Sequence, residues 1–164
     1  MAVHGEEKEV YFEGETTIEA PSEKVWGYIS DPRNGVEYIP KVKKLEVISE
    51  TDFNATVGVI MGGIIGNFEL RFQIAENTPL GHAKIKAAGR GIKSTVQFES
   101  DIDLSDTTEG KTLMKWKADV GVGGLIAGVG QRLLRMAANK MTKEIFERLK
   151  SNMESQIPPV KPAD

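Results

Sequence analysis

Between Val42 and Val122, apolar residues recur at every second position, and short turn sequences separate the apolar runs. Successive side chains of a β-strand point to opposite faces, so this alternation is typical of strands that bury one face only. The turns are indicated by glycine, proline and small polar residues at positions 62–63, 78–81, 89–91 and 107–110. The stretch therefore predicts about six antiparallel strands in succession.

The last hairpin of this stretch can be placed in register from its charges. The acidic residues of one strand and the lysines of the next can face one another on an outer surface, where opposite charges stabilise a strand pair. The same register brings the intervening residues together on the inner surface. The outer set is Asp101, Asp103, Lys115 and Lys117, and the inner set is Ser100, Ile102, Met114 and Trp116. One register therefore satisfies both surfaces.

Helical patterns flank the strands. A first strand over residues 10–18 precedes a short helix near Pro21, because proline is favoured in a first helical turn, and a second helical turn follows at residues 33–39. Apolar residues then recur every four positions in a long helix predicted over residues 124–154. Such a stripe drifts around the helix, so either the helix bends or wraps over a curved sheet, or its second half packs against a partner or the small helices. Helices on one face of an antiparallel sheet define an α+β fold.

Composition excludes several kinds of site. The 164 residues carry a net charge of −3 and no cysteine, which argues against nucleic acid as a partner and removes disulfides and thiolate chemistry. His4 and His82 lack ligand-like spacing, and the glycine-rich stretch at residues 120–135 lacks nucleotide-binding motifs. No uncharged run reaches the roughly 20 residues of a membrane-spanning helix. We expect a cytoplasmic protein without metal or cofactor, with one domain over residues 1–156 and a flexible proline-rich tail over residues 157–164.

Three stretches resemble known proteins. FEGETTIEAPSEKVWGYISDP (residues 12–32) resembles the opening of the helix-grip superfamily, also called START-like or SRPBCC. VGVIMGGIIGNFELRF (residues 57–72) and TLMKWKADVGVGGLIAGVGQRLL (residues 112–134) are similar, more narrowly, to the family of the CoxG subunit of carbon monoxide dehydrogenase. The resemblance extends over residues 10–149. One departure is Lys41, which follows Pro40 where we expect that family often to carry glycine.

The resemblance implies a curved sheet of about seven strands wrapped around the long helix, with an apolar cavity between them. The residues agree with a cavity, because small inner-face residues alternate with large aromatic rings, and ligand cavities have mostly apolar walls. The alternative is that the small residues only let strands bend and the helix pack closely. The expected walls are Phe12, Gly14, Phe68, Leu70, Phe72, Ile85, Phe98, Ser100, Met114, Trp116, Ala118, Val129, Leu133 and Met136.

By the same resemblance, the cavity opens where two hairpin turns meet the start of the long helix. These segments are glycine-rich, and uncharged aliphatic residues lie beside cations in them. Such a rim suits contact with a lipid surface or a protein partner; the alternative is that Leu125 and Ile126 close the core. The expected rim comprises Ile64, Ile65, Arg90, Lys93, Leu125, Ile126, Arg132 and Arg135.

The predicted inner face offers hydroxyls but little that titrates, so no catalytic residue is assigned. The resemblance implies a non-catalytic protein that binds a lipid or a quinone. It also implies an accessory role for a molybdenum enzyme of the carbon monoxide dehydrogenase type, with peripheral contact at the inner face of the membrane. The alternative is a helix-grip enzyme of the polyketide cyclase or hydrolase type that acts on an apolar substrate.

Overall fold

The structure is a computed structural model that describes residues 7–78 and 81–155; His4 and the predicted tail at residues 157–164 lie outside the described residues. Seven strands form one antiparallel sheet. They are β1 (Glu7–Ile18), β2 (Val42–Val47), β3 (Asp52–Met61), β4 (Ile64–Thr78), β5 (His82–Gly91), β6 (Ser94–Asp106) and β7 (Thr112–Gly124). Their order in the sheet is β1-β7-β6-β5-β4-β3-β2. The predicted α+β sheet of about seven strands is confirmed.

Three α-helices complete the domain: α1 (Ser22–Ile29), α2 (Gly35–Tyr38) and the long C-terminal α3 (Gln131–Ser155). A 3-10 turn, Pro32–Asn34, joins α1 to α2. The side chain of Asp31 accepts a hydrogen bond from the Arg33 amide and so caps this turn. The two short helices therefore follow β1, as predicted.

The register predicted for the last hairpin is correct. Asp101 pairs with Lys117 and Asp103 with Lys115 on the outer face. Ile102 pairs with Trp116 on the inner face, which carries the apolar residues of every strand. Charge pairing and apolar burial therefore specify the same alignment.

The turn between β5 and β6 is shifted from its predicted place. The sequence indicated a turn at residues 89–91, but β5 continues to Gly91 and the chain reverses at Ile92 and Lys93. Gly89 and Gly91 instead let the backbone of β4 approach closely, because a Cβ atom at either position would overlap Glu69 or Asn67. Glycine serves strand packing here rather than the turn.

The long helix begins later than predicted. Gly124 (φ 80°) and Gly130 (φ 96°) adopt backbone conformations that side chains of L-residues rarely reach. Between them lies a separate 3-10 turn, Leu125–Val129, which we call the gate turn. The predicted helix over residues 124–154 is therefore a turn followed by α3.

The two halves of α3 face different surroundings. Leu134 packs with residues of the gate turn and the ends of β1 and β4. Leu149 and Met153 pack with Val25 and Trp26 of α1. The second half of the helix therefore packs against one of the small helices, which was one of the two alternatives left by the sequence.

Three clusters of buried residues make up the core. The first lies around α1 and the C-terminal half of α3, and includes Ile18, Met114 and Met153. The second lies around the gate turn and includes Phe68, Ile126 and Leu134. The third lies between α2 and β3 and is formed by Ile39, Phe53, Ala55 and Val57.

Candidate functional site

The centre of the inner face belongs to none of these clusters. Within the described part of the chain, Ile85 of β5 and Phe98 of β6 pack in no core cluster. Both are only half-buried, although they lie in the middle of the sheet on the face that carries α3. Ser100 is buried beside them, and its Oγ donates a hydrogen bond to Lys117 O at 3.1 Å. The middle of the sheet therefore keeps accessible apolar surface.

Trp116 forms one wall of this region. Its ring stacks on Phe146 of α3, with centroids 5.0 Å apart, and meets the edge of Phe12 at 5.8 Å. The ring also covers Gly14, where a Cβ atom would lie 2.6 Å from Trp116 Cζ2. Gly14 was predicted to leave volume for a ligand, but the indole of Trp116 occupies that space.

The remaining predicted wall residues divide by exposure. Half-buried side chains are available to an internal ligand, whereas fully buried ones form the layer behind. The half-buried set is Phe12, Gly14, Leu70, Phe72, Ile85, Phe98, Trp116, Val129 and Leu133, and the buried set is Phe68, Ser100, Met114 and Ala118. Met136 was predicted as a wall residue, but this is wrong, because it is 58% exposed. Two residues after the buried Leu134, it projects from the opposite side of the helix.

Three segments meet at one end of the domain, as the predicted rim requires. The amide of Leu125 donates to Lys93 O at 3.1 Å, which joins the gate turn to the β5–β6 turn. Ser94 Oγ accepts a hydrogen bond from the Ile126 amide at 2.9 Å and donates to Ile92 O at 2.9 Å. Gly66, beyond the β3–β4 turn, lies against the side chain of Ile92.

The apolar part of this end differs from the predicted rim in two residues. Ile65 (74% exposed) and Leu125 (51% exposed) project into solvent. Ile126, in contrast, is 2% exposed and belongs to the second core cluster, so its assignment to the rim is wrong. Ile64 is half-buried against the same cluster.

Sequence reasoning missed Ile60, which is 61% exposed and pairs with Ile65 across the β3–β4 hairpin. Its signal was its place opposite Ile65 in that hairpin. Ile60, Ile65 and Leu125 are named the tip patch below.

The predicted cations of the rim are exposed. Arg90, Lys93 and Arg132 lie on the surface of the same end. Arg135 is also exposed, but its Nη1 donates to Tyr11 O at 3.2 Å, and the neighbouring Gln131 Nε2 donates to Glu9 O at 2.7 Å. These two side chains tie the start of α3 to the edge strand β1.

Titratable groups lie on the outer face or around the small helices. His82 was expected in a turn but begins β5, with Nδ1 2.8 Å from Asp103 and Nε2 3.2 Å from Asp101. Arg71 donates to Asp52 at 2.8 Å and lowers the pKa of that carboxyl. No titratable residue occupies the described inner-face positions of β5 or those of β6 up to Leu104.

Burial, together with a 2.6 Å hydrogen bond to Glu37, raises the pKa of Tyr28 to about 12. Tyr28 lies on α1 and Glu37 on α2, so this pair joins the two short helices.

Two open depressions, of about 380 and 490 Å³, lie on the outer face. Arg71 and Ala88 border both, and most other lining residues are polar or charged. Neither depression lies between the sheet and α3, where the sequence placed the cavity. Among the described residues, no helix is long and apolar enough to cross a membrane, and no group of three or more His, Cys, Asp and Glu side chains is placed to hold a metal ion.

Solved structures share this architecture. A conserved protein from Geobacillus kaustophilus superposes with a TM-score of 0.83 at 24% identity, covering 90% of this chain and 97% of that chain. A START superfamily protein from Mycobacterium smegmatis gives 0.66 at 14% identity, covering 89% and 98%. The Zhui aromatase/cyclase from Streptomyces sp. R1128 gives 0.68 at 12% identity, covering 95% and 100%. At these identities the likeness establishes the START-like fold.

No curated protein is significantly similar in sequence. The family described as the CoxG subunit of carbon monoxide dehydrogenase matches residues 14–154, which include nearly all of the sheet and of α3. This family and the START-like fold are both consistent with the binding of a hydrophobic ligand. The chain belongs to the CoxG family of carbon monoxide dehydrogenase.

Proposed function

We propose that this protein is a non-catalytic carrier of an apolar small molecule, a lipid or a quinone, held between the sheet and α3. The observation that carries this proposal is the division of the core, which leaves Ile85 and Phe98 half-buried at the centre of the inner face. Apolar surface left accessible inside a domain is unfavourable unless a ligand covers it. Aromatic and aliphatic walls without a titratable group suit binding better than chemistry.

The gate turn is the proposed route of access. Glycines in the left-handed region flank it, and Ile126 and Ala127 insert from it into the second core cluster. Displacing this one turn would open the rim end without unfolding a strand or α3. A carrier needs such a movable part, because neither depression of the outer face reaches the proposed site.

We further propose that the rim end contacts the membrane while the ligand passes. Complete burial of an aliphatic side chain contributes roughly 1.5–3 kcal/mol, and a basic residue near an anionic surface about 1 kcal/mol. The tip patch and the nearby Arg90, Lys93 and Arg132 therefore support weak and reversible binding. The net charge of −3 opposes it, so contact depends on the local surface.

Vesicle co-sedimentation tests this contact. The double variant Ile60→Ser/Ile65→Ser should lose most binding to vesicles that contain anionic lipid, because both side chains are exposed and cross-strand neighbours. The matched control, Val36→Ser/Val47→Ser, alters exposed residues of α2 and β2 and should bind as wild type does. Arg90→Ala/Arg132→Ala should weaken binding to anionic vesicles only.

Two outcomes would overturn the proposed contact. Equal losses in the tip-patch and control variants would place the membrane contact elsewhere on the surface. If wild type ignores every vesicle, the accessory role must rest on a protein partner instead.

By family membership, the proposed partner is a molybdenum enzyme of the carbon monoxide dehydrogenase type. The carrier would link that enzyme to the membrane or its quinones. Adjacent genes for the other components of such an enzyme would support this role. Binding of this protein to such a purified enzyme tests it directly, and no measurable binding in the presence of ligand would refute it.

The second candidate is a cyclase or hydrolase of the same fold, and the observation that favours it is the structural likeness to the Zhui aromatase/cyclase. Pocket shape alone can steer a reactive apolar substrate. Turnover of a polyketide-like or ester substrate that disappears in His82→Ala would favour the enzyme over the carrier.

A further inference from the structure

One donor on the inner face remains unused. Among the indole and phenol donors of the described residues, Trp26, Tyr38 and Trp116 have no hydrogen-bond partner, whereas Tyr11 donates to Glu13 and Tyr28 to Glu37. Trp26 belongs to α1 and Tyr38 to α2. Only Trp116 lies on the inner face of the sheet, opposite Gly14 and Ile102.

The N–H of Trp116 must be accessible. Every fully buried side-chain nitrogen and oxygen of the described residues has a hydrogen-bond partner, so an unpaired indole nitrogen has open space beside it. Buried serine and threonine hydroxyls nearby are satisfied, since Ser100 donates to Lys117 O and Thr112 donates to Ala20 O. The indole is therefore a donor that the protein itself leaves unused.

The ring is also fixed in orientation. Phe146 stacks on it, Phe12 meets its edge, and Gly14 leaves room for it against β1. A fixed donor loses little conformational entropy when an acceptor arrives. Indole N–H groups in apolar surroundings usually find a partner, and this one belongs to a ring on the face of the sheet that carries α3.

We propose that Trp116 donates a hydrogen bond to the ligand, and that the ligand is an apolar molecule with an acceptor oxygen, such as a ring ketone or an ester carbonyl. This inference rests on the proposed carrier function. The acceptor fixes the ligand's orientation, with its oxygen at Trp116 and its apolar part along Ile85 and Phe98. Pure hydrocarbons would occupy the same space without a preferred orientation.

A matched pair of probes tests the donor. 2-Acetylnaphthalene carries a carbonyl and 2-ethylnaphthalene has nearly the same shape without it. Trp116→Phe keeps an aromatic ring for Phe146 and removes the N–H. The variant should bind 2-acetylnaphthalene about five- to tenfold more weakly than wild type, in line with one net hydrogen bond, and its affinity for 2-ethylnaphthalene should change less than about twofold.

Indole nuclear magnetic resonance provides a readout that needs no variant to fold. The chain has two tryptophans, so the Trp116 N–H signal can be compared with that of Trp26 in the same sample. It should move downfield with 2-acetylnaphthalene and not with 2-ethylnaphthalene, while Trp26 stays in place. Equal losses for both probes in Trp116→Phe, or an unmoved Trp116 signal in the saturated complex, would overturn the proposal. If wild type binds neither probe, the carrier function itself fails.

Discussion

Single residues at the rim end carry backbone strain that sequence patterns do not reveal. Ile92 (φ 54°) and Lys93 (φ 52°) occupy the left-handed region, which is rare for a β-branched residue. Ile92 is held there by its contact with Gly66 and by the Ser94 hydroxyl, which donates to its carbonyl. Strained turns of this kind persist only where the surroundings fix them, and here those surroundings include the gate turn.

Lys41 is strained in the same way, with φ 61°. It follows Pro40 at the position where glycine is expected in the family, and the structure supplies the physical reason for that expectation. Lys41→Gly should raise the free energy of unfolding by about 0.5–1 kcal/mol, because relief of the left-handed conformation exceeds the added chain entropy. Lys44→Gly in the extended strand β2 is the control and should lower it. Urea unfolding measures both, and a loss in both variants would contradict the argument.

At the scale of elements, sequence reasoning succeeded wherever a short period decided the outcome. Strand faces follow from alternation alone, so the inner-face positions of Phe68, Phe98 and Trp116 were predictable. Helix phase was not, because the conformation of Gly130 determines where α3 begins, and that conformation depends on tertiary contacts. Met136 was misplaced for this reason. Ile126 was misplaced because a 3-10 turn points it into the core.

The gate turn can be loosened without altering its own residues. Ser94 Oγ is the acceptor for the Ile126 amide, so Ser94→Ala leaves that buried amide unpaired, at a cost of about 1–3 kcal/mol. Local opening is the expected response, because few other hydrogen bonds hold the turn. Amide hydrogen exchange at Ile126 should accelerate at least about fivefold, with exchange in the middle of α3 unchanged.

Ser100→Ala is the matched control for this experiment. Ser100 is an equally buried serine of β6, but its hydroxyl donates within the sheet, to Lys117 O. Its removal should leave exchange at Ile126 unaltered. If both variants speed that amide alike, the Ser94 hydroxyl does not secure the gate turn.

At the scale of the whole molecule, the domain gives up some packing at its centre. Three clusters anchor the small helices, the gate turn and β3, while the middle of the sheet between them stays half-buried. A domain built only for stability would fill this region, since each added buried methylene contributes about 0.8 kcal/mol. The fold positions the functional site by where its clusters stop.

Enlarging the same side chain at two inner-face positions tests this division. Ile18 is 0% exposed within the first cluster, so Ile18→Phe should overpack it and lower the free energy of unfolding by about 1–3 kcal/mol. Ile85 belongs to no cluster of the described residues and is half-buried, so Ile85→Phe should change stability by less than about 0.5 kcal/mol. The added ring would occupy the proposed ligand space, and Ile85→Phe should therefore bind 2-acetylnaphthalene more weakly than wild type. Urea unfolding and ligand titration measure the two effects separately. Equal destabilisation by both substitutions would mean that the centre is packed as tightly as the clusters, which leaves no room for a carried molecule.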